Sequence, residues 1–396
     1  MSKPNEINSI VGQIAKDRDF FDRDEVLAQL AHDARTDHLL LLAPRRVGKT
    51  SLLYKLADTL ESNDTHAVYV SVQSAVDELD FLRLLHAACA KHSAAAGILV
   101  AQATRGIKQL LGRVQEVRIA DFGLTLDATE REHWQTRAGE LVTALGALPG
   151  RWFYLIDELP VFVLKLVRDD PSGGRARSFL EWFRSIRQAP HGAQLLRHWI
   201  LAGSIGLDTV AHRHRLSNTV NDLRHVRLGA FDEKTAMQFL AALGRGAGVK
   251  LSIAVRRRIL ERAGWPIPYH LQVVFAAIKD RGETPTVALV DQVFEDLLRQ
   301  HSYFDSWHER LTDQLGDLDA ERARLLLRAV ARDAGGMRRD LLESVLATSI
   351  TDASERERNL RYLLDVLIND GYLHPVEDRY AFRSELLRAF WVRRYG

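Results

Sequence analysis

Lys49, Thr50, Asp157 and Glu158 have the types and settings needed to handle a phosphate in this chain of 396 residues. Lys49 and Thr50 stand in Gly48-Lys49-Thr50-Ser51, directly after the turn Ala43-Pro44-Arg45-Arg46-Val47. A lysine at that point can reach the β- and γ-phosphates of a nucleotide, and the Thr50 hydroxyl can ligate Mg²⁺. Loop N–H groups aimed at a helix N-terminus can enclose a diphosphate and gain from the helix dipole. Pro44, Arg45, Arg46, Val47, Gly48, Lys49, Thr50 and Ser51 are therefore the candidate phosphate-binding set.

Gly-Lys-Thr alone is common by chance, so its surroundings decide. Four consecutive leucines, residues 39–42, precede it, which suits a strand buried on both faces. Leu52, Leu53, Leu56 and Leu60 follow at helical spacing. Strand, loop and helix in that order make a phosphate-binding loop. The first glycine of the usual pattern is Ala43 here, which predicts a slightly altered loop entry.

The second chemical site is the acidic pair Asp157-Glu158, closing the hydrophobic run 151–156. Ligands of parallel sheets sit beyond the carboxyl ends of the strands, so Asp157 and Thr50 should converge. Asp157 would hold Mg²⁺ directly or through water, and Glu158 would polarise a water attacking the γ-phosphate. The plainer reading is an acidic pair that merely ends a strand; the upstream loop favours the chemical one. A further strand over 199–202 ends in Gly203-Ser204. Ser204 either touches the γ-phosphate or the lytic water, or caps the next helix.

These residues need a scaffold. A helix is expected from residues 20–30 with Asp24 as N-cap, after a leader (1–19) lying on the surface. Strands are expected at 67–72 and 226–231, with another strand or half-hairpin at 117–126. Helices are expected over 77–114 and 130–148, the latter with Trp134, Leu141 and Leu145 inward. From Asp232 the pattern is wholly helical, at 233–243, 252–263, 268–278 and 286–298. The turn Gly264-Trp265-Pro266-Ile267-Pro268 either joins two of these helices or closes over an adenine.

The tail reads as helices at 321–331 and 338–346 and a third after Ser354, where Ser354 and Glu357 suggest a capping box. A hairpin around Val376-Glu377-Asp378 follows, which is the winged-helix order. Arg356, Arg358 and Arg361 on the third helix could meet DNA phosphates or base edges, although Glu355, Glu357 and Asp365 share that helix. A basic stretch, His212 to Arg215 with Arg224, His225 and Arg227, offers either an arginine to a neighbouring subunit's phosphate or a solvated face.

Composition sets the limits. Hydrophobic content of 46%, charged content of 27% and a formal charge of +2 describe an ordinary globular chain with no global field toward nucleic acid or membrane. The single cysteine, Cys89, excludes an internal disulfide or a cysteine metal cluster. The polar N-terminus and the lack of a long apolar run lead to the expectation of a cytoplasmic protein that contacts no membrane.

With these residues located, the chain resembles the AAA+/STAND-related P-loop ATPases, specifically the archaeal-type ATPase family related to the Orc1/Cdc6 initiators. The resemblance runs from Phe20 to the C-terminus, on FFDRDEVLAQL, LLLLAPRRVGKTSLL, WFYLIDELPVFV, WILAGSIGL, the GWPIPYHLQ turn and the closing wing. It implies an α/β fold with a parallel five-stranded sheet, a helical lid and a C-terminal winged helix. The boundaries expected are 1–231 for the ATPase core, 232–305 for the lid and 306–396 for the winged helix. It also implies ATP and Mg²⁺ as ligands, Ser204 as the first sensor, and adenine contacts near Phe21, Arg23 and Pro266. Asp22 stands where the family has glycine. Asn221-Asp222 replaces a common glycine-arginine pair, leaving Arg213 or Arg215 as substitutes for a trans-acting arginine. The expected function is an ATP-hydrolysing conformational switch of signalling or defence type, with self-association or a protein partner. A DNA-binding ATPase of initiator or mobile-element type is the rival.

Overall fold

The leucine run forms β1 (Leu39–Leu42) at the interior of a sheet, with Leu39, Leu40 and Leu41 fully buried. The computed structural model describes residues 5–95, 99, 134–188, 197–204, 206–300 and 302–395. β2 (Thr65–Ser71), β3 (Arg151–Asp157), β4 (Arg197–Gly203) and β5 (Arg224–Arg227) complete a five-stranded parallel sheet of order β2-β3-β4-β1-β5. Register aligns Leu42 with Gly203 and Ser71 with Asp157. The phosphate loop, Asp157 and Ser204 consequently leave the sheet at one rim.

β5 lies earlier than the expected 226–231. Apolarity drew the expectation toward Leu228 and Phe231, which are buried just beyond the strand. The backbone pairs instead over Arg224–Arg227, an edge where charged side chains can face solvent. The strand or half-hairpin expected at 117–126, and the later part of the helix expected over 77–114, lie outside the described residues.

Helices cover both faces. α1 (Asp24–Asp33) starts from Arg23, whose φ of 76° is left-handed, so Asp24 is the first helical residue and not the cap. It still helps there, because Asp24 and Glu25 complement the helix dipole. α2 (Lys49–Leu60) buries Leu52, Leu53, Leu56 and Leu60, the face that their spacing predicts. α3 (Glu78–Ala90) is capped by Asp77, which accepts from the Asp80 amide at 2.9 Å. α4 (Trp134–Gly146) turns Trp134, Leu141 and Leu145 inward, as expected. Sequence reading assigned nothing to α5 (Leu159–Asp169) and α6 (Gly174–Gln188), which meet α3 through an aromatic cluster. In it the Phe81 ring stands 4.9 Å from Phe179 and 5.6 Å from Phe162.

After α7 (Leu207–Arg213) come α8 (Glu233–Gly246), α9 (Ile253–Ala263), α10 (Pro268–Asp280) and α11 (Val287–Arg299), all within a few residues of expectation. Asp232, Ser252 and Thr286 cap α8, α9 and α11 by accepting from the amide three residues on.

The tail holds α12 (Ser302–Ala331), bent where Gly316 takes a φ of 74°. β6 (Met337–Arg338), α13 (Arg339–Leu346), α14 (Ala353–Asn369), β7 (Leu373–Val376) and β8 (Arg379–Phe382) follow. The three strands form an antiparallel sheet of order β6-β8-β7, so helices and hairpin succeed one another in the winged-helix order. The capping box is not formed. Asp352 caps α14, accepting from the Glu355 amide at 2.7 Å, and Glu357 is drawn away to Arg339 at 2.8 Å. A last helix, α15 (Glu385–Tyr395), packs Phe390 on Phe304 at 4.5 Å. Among the described residues no helix is long and apolar enough to cross a membrane.

Candidate functional site

The phosphate loop runs from β1 into α2 through two left-handed residues, Arg46 (φ 67°) and Gly48 (φ 95°). Ala43 is not left-handed, so the missing glycine imposes no strain there. Gly48 is the N-cap of α2, which leaves the first-turn N–H groups without a side-chain cap and pointing at the rim.

Lys49 Nζ lies 2.8 Å from Asp157 Oδ1 and 2.7 Å from Glu158 Oε1. Thr50 Oγ1 donates to Asp157 Oδ2 at 2.9 Å, and the Tyr69 hydroxyl donates to the same oxygen at 3.2 Å. Burial by itself would lower the Lys49 ammonium, but the Glu158 and Asp157 carboxylates outweigh it and hold it above its ordinary value. Asp157 is the mirror case. Burial would raise it, yet Lys49, Thr50 and Tyr69 keep its carboxyl below the usual range. Glu158 is left-handed at φ 61°, as the N-cap of α5, and its Oε2 is buried without a hydrogen-bond partner. A carboxylate with a spare acceptor suits the orientation of a water. The Thr50 hydroxyl beside a carboxylate is a hard oxygen set of the kind Mg²⁺ takes, so these residues fit that ion.

A cavity of about 320 Å³ opens over the loop, lined by Pro44 to Ser51, Glu158 and Ser204 on the phosphate side. Phe21, Arg23, Phe231, Phe239, Tyr269 and Gln272 line its other end. That volume falls in the range of small-molecule sites. The Phe21 ring meets Phe239 at 5.4 Å, and Arg23 lies over Phe231 at 4.5 Å while donating to the Gly229 carbonyl at 2.7 Å. Burial lowers the Arg23 guanidinium to about 10. Asp22, the residue in place of glycine, is itself left-handed at φ 61°. Pro266 is not among the lining residues. Its carbonyl accepts from the Phe231 amide at 3.1 Å, and Pro268 lines the cavity instead.

Ser204 does not cap α7, whose N-cap is Gly206. Its hydroxyl accepts from Arg310, a residue that sequence reading missed. Arg310 also faces Glu158 Oε2 at 3.8 Å and Asp370 Oδ1 at 3.5 Å. Burial would lower its guanidinium, but Asp370 and Glu158 hold it above the ordinary value. No motif marks Arg310, because it is a single arginine on an amphipathic helix far along the chain. The leader was missed as well. Ala15 N donates to Ser51 Oγ at 2.9 Å and Ile10 N to Gln272 Oε1 at 2.7 Å, so this segment straps α2 to α10 across the cavity mouth. Its backbone hydrogen bonds have no sequence signature.

The basic stretch is divided. Arg213 pairs with Asp319 at 2.7 Å and lies 3.7 Å over Tyr362, tying α7 to the tail, whereas Arg215 is exposed. Asp222 holds Arg187 at 2.8 Å. On α14, Arg356 is taken by Glu343 at 3.3 Å and by the Ile350 carbonyl at 3.0 Å, Arg361 pairs with Glu357 at 3.1 Å, and Arg358 is exposed.

No protein-family model matches the sequence, and no curated protein matches it either. Among solved structures the chain is similar to the Walker-type ATPase PABY2304 of Pyrococcus abyssi, with a TM-score of 0.63 and 17% identity over 97% of this chain and 99% of that one. Weaker likenesses are to the Aeropyrum pernix ORC1 protein in complex with DNA (TM-score 0.43, 15% identity, 96% and 95% covered) and to the Thermotoga maritima RuvB Holliday junction branch migration motor (TM-score 0.41, 15% identity, 90% and 90% covered). The last two are too distant to carry any argument. The chain therefore shares its α/β fold, built on a five-stranded parallel sheet, with the Pyrococcus protein along nearly its whole length.

Proposed function

We propose that the chain binds Mg²⁺-ATP at the β1–α2 rim, hydrolyses it slowly, and uses the bound nucleotide to set the position of its C-terminal part. The observation that carries this reading is the meeting of Lys49, Thr50, Asp157 and Glu158 within hydrogen-bonding distance, with tail residue Arg310 reaching the same rim. In this reading Lys49 neutralises the β- and γ-phosphates. Loop amides from Arg46 to Ser51 hold the diphosphate, and Thr50 with Asp157 would hold Mg²⁺. That ion, when bound, neutralises charge on the β- and γ-oxygens. Glu158 orients the attacking water, and Ser204 senses the γ-phosphate. Phe21 and Arg23 sit where the base would lie.

The core then spans 1–231, the lid 232–305 and the winged helix 306–396. Contacts across the last boundary support a switch. Arg45 N donates to the Asp370 carbonyl at 3.4 Å, and Asn369 donates to Thr209 at 3.0 Å. Gly371 completes the junction at φ 93°, where a Cβ would lie 2.6 Å from the Trp265 ring and 3.0 Å from Pro44. A loop that moves with the phosphates moves this junction too. The output is passed to a protein partner or to a second copy of the chain, in a signalling or defence role. DNA binding is the less favoured output, because Arg356 and Arg361 already have carboxylate partners. A phosphate-release assay with and without Mg²⁺, run beside calorimetric ATP titration, tests the proposal. Binding without metal-dependent release would leave a nucleotide-binding scaffold, and no binding would remove the reading altogether.

A further inference from the structure

Away from the phosphate rim, three donors from three elements meet at the opposite end of α2. Glu61 is the C-cap of α2, His66 lies near the start of β2, and His92 follows α3. Glu61 Oε1 is 3.0 Å from His66 Nδ1 and 3.2 Å from His92 Nε2, and one donor atom from each residue falls within 4.8 Å of the others. A tetrahedral ion with bonds of about 2.0–2.1 Å places its donors about 3.3 Å apart. The two separations are close to that edge length, so an ion can enter with small side-chain shifts.

The surroundings hold the donors in place. Trp152 packs against both imidazoles, at 4.7 Å from His66 and 5.0 Å from His92. The second Glu61 oxygen accepts from the Ala67 amide at 2.9 Å, which orients the carboxylate from behind. The histidines are mostly buried, at 12% and 18% side-chain exposure, while Glu61 at 40% leaves the outer side open to water. Two imidazoles and one carboxylate form a borderline donor set that suits zinc better than Mg²⁺ or Ca²⁺.

We propose that Glu61, His66 and His92 bind one divalent zinc-type ion, which clips the far end of the phosphate-loop helix to the edge strand β2 and to the end of α3. Without the ion, the two rings and the carboxylate form a hydrogen-bonded cluster. In one tautomer His92 donates from Nε2 to Glu61, with Nδ1 at 3.3 Å from the Ala94 amide. Ion binding through Nε2 shifts the proton to Nδ1 and gives up that long contact.

The test is zinc titration of the full chain by calorimetry in the absence of nucleotide, repeated for His66→Gln and His92→Gln, with cobalt(II) as a spectroscopic probe. The proposal expects saturable uptake of one zinc ion per chain, a tetrahedral cobalt absorption band and a zinc-induced rise in melting temperature, each lost in both variants. ATP titration of the variants establishes that they are folded, since neither residue lines the nucleotide cavity. Absence of saturable uptake by the wild-type chain, or equal uptake by wild type and folded variants, overturns it.

Discussion

Arg310 on α12 donates to the hydroxyl of Ser204 at the end of β4, a contact between residues 106 positions apart. It places a tail guanidinium beside the residue that would sense the γ-phosphate. The same guanidinium faces Asp370, which is fully buried. The tail therefore meets this rim through the Ser204 hydrogen bond and through the Arg310 guanidinium, 3.8 Å from Glu158 Oε2, and not through apolar packing alone.

Removing one partner of such a pair strands the other. Arg310→Ala should destabilise the chain by about 3–5 kcal/mol, because the fully buried Asp370 carboxyl loses its guanidinium partner. Arg310→Ala/Asp370→Asn should recover part of that loss in urea unfolding. If the double variant is no more stable than the single one, the pair is not coupled as described.

Lys49→Ala should weaken ATP binding by about 100-fold or more, since a buried phosphate charge loses its partner. Calorimetry with intact circular dichroism decides this, and near-normal affinity would take Lys49 out of the site.

Glu158→Gln keeps shape and hydrogen bonding but removes the base. We expect ATP affinity within a few-fold of wild type and phosphate release lower by about 10²–10⁴. Unchanged release would assign water activation to another group.

His270 supplies a pH signature. Burial depresses its imidazole from 6.5 to about 4, so it is neutral in the fold when the unfolded chain would already be protonated. A depressed histidine leaves stability intact above the unfolded value and costs it as pH falls toward the folded one. Between pH 6.5 and 4 the wild type should lose up to roughly 3 kcal/mol that His270→Leu does not. Parallel stability curves for the two proteins would contradict this.

Reversing charge at Arg356, Arg358 and Arg361 separates the two outputs. The protein-directed reading expects no salt-dependent binding to duplex DNA by the wild type at low ionic strength, and so no effect of the triple change. Tight binding that the triple change abolishes would establish the DNA-directed alternative.

The features legible along the chain are local ones. The leucine run, Gly48-Lys49-Thr50 and the acidic pair Asp157-Glu158 carry period, length and charge patterns that neighbouring residues enforce, so strand, loop and helix were legible. The helices between residues 233 and 299 were legible for the same reason, their caps and apolar stripes lying within a few positions of each other. Tertiary structure decided the remainder. The edge strand β5 is charged and exposed, and only its hydrogen bonds to β1 define it. Arg310, the leader strap across the cavity mouth, and the loss of the Ser354 capping box to an Arg339–Glu357 pair depend on chain segments that sequence reading cannot bring together. Side chains that act across long separations are selected by packing and electrostatics in three dimensions, and these leave no period along the chain.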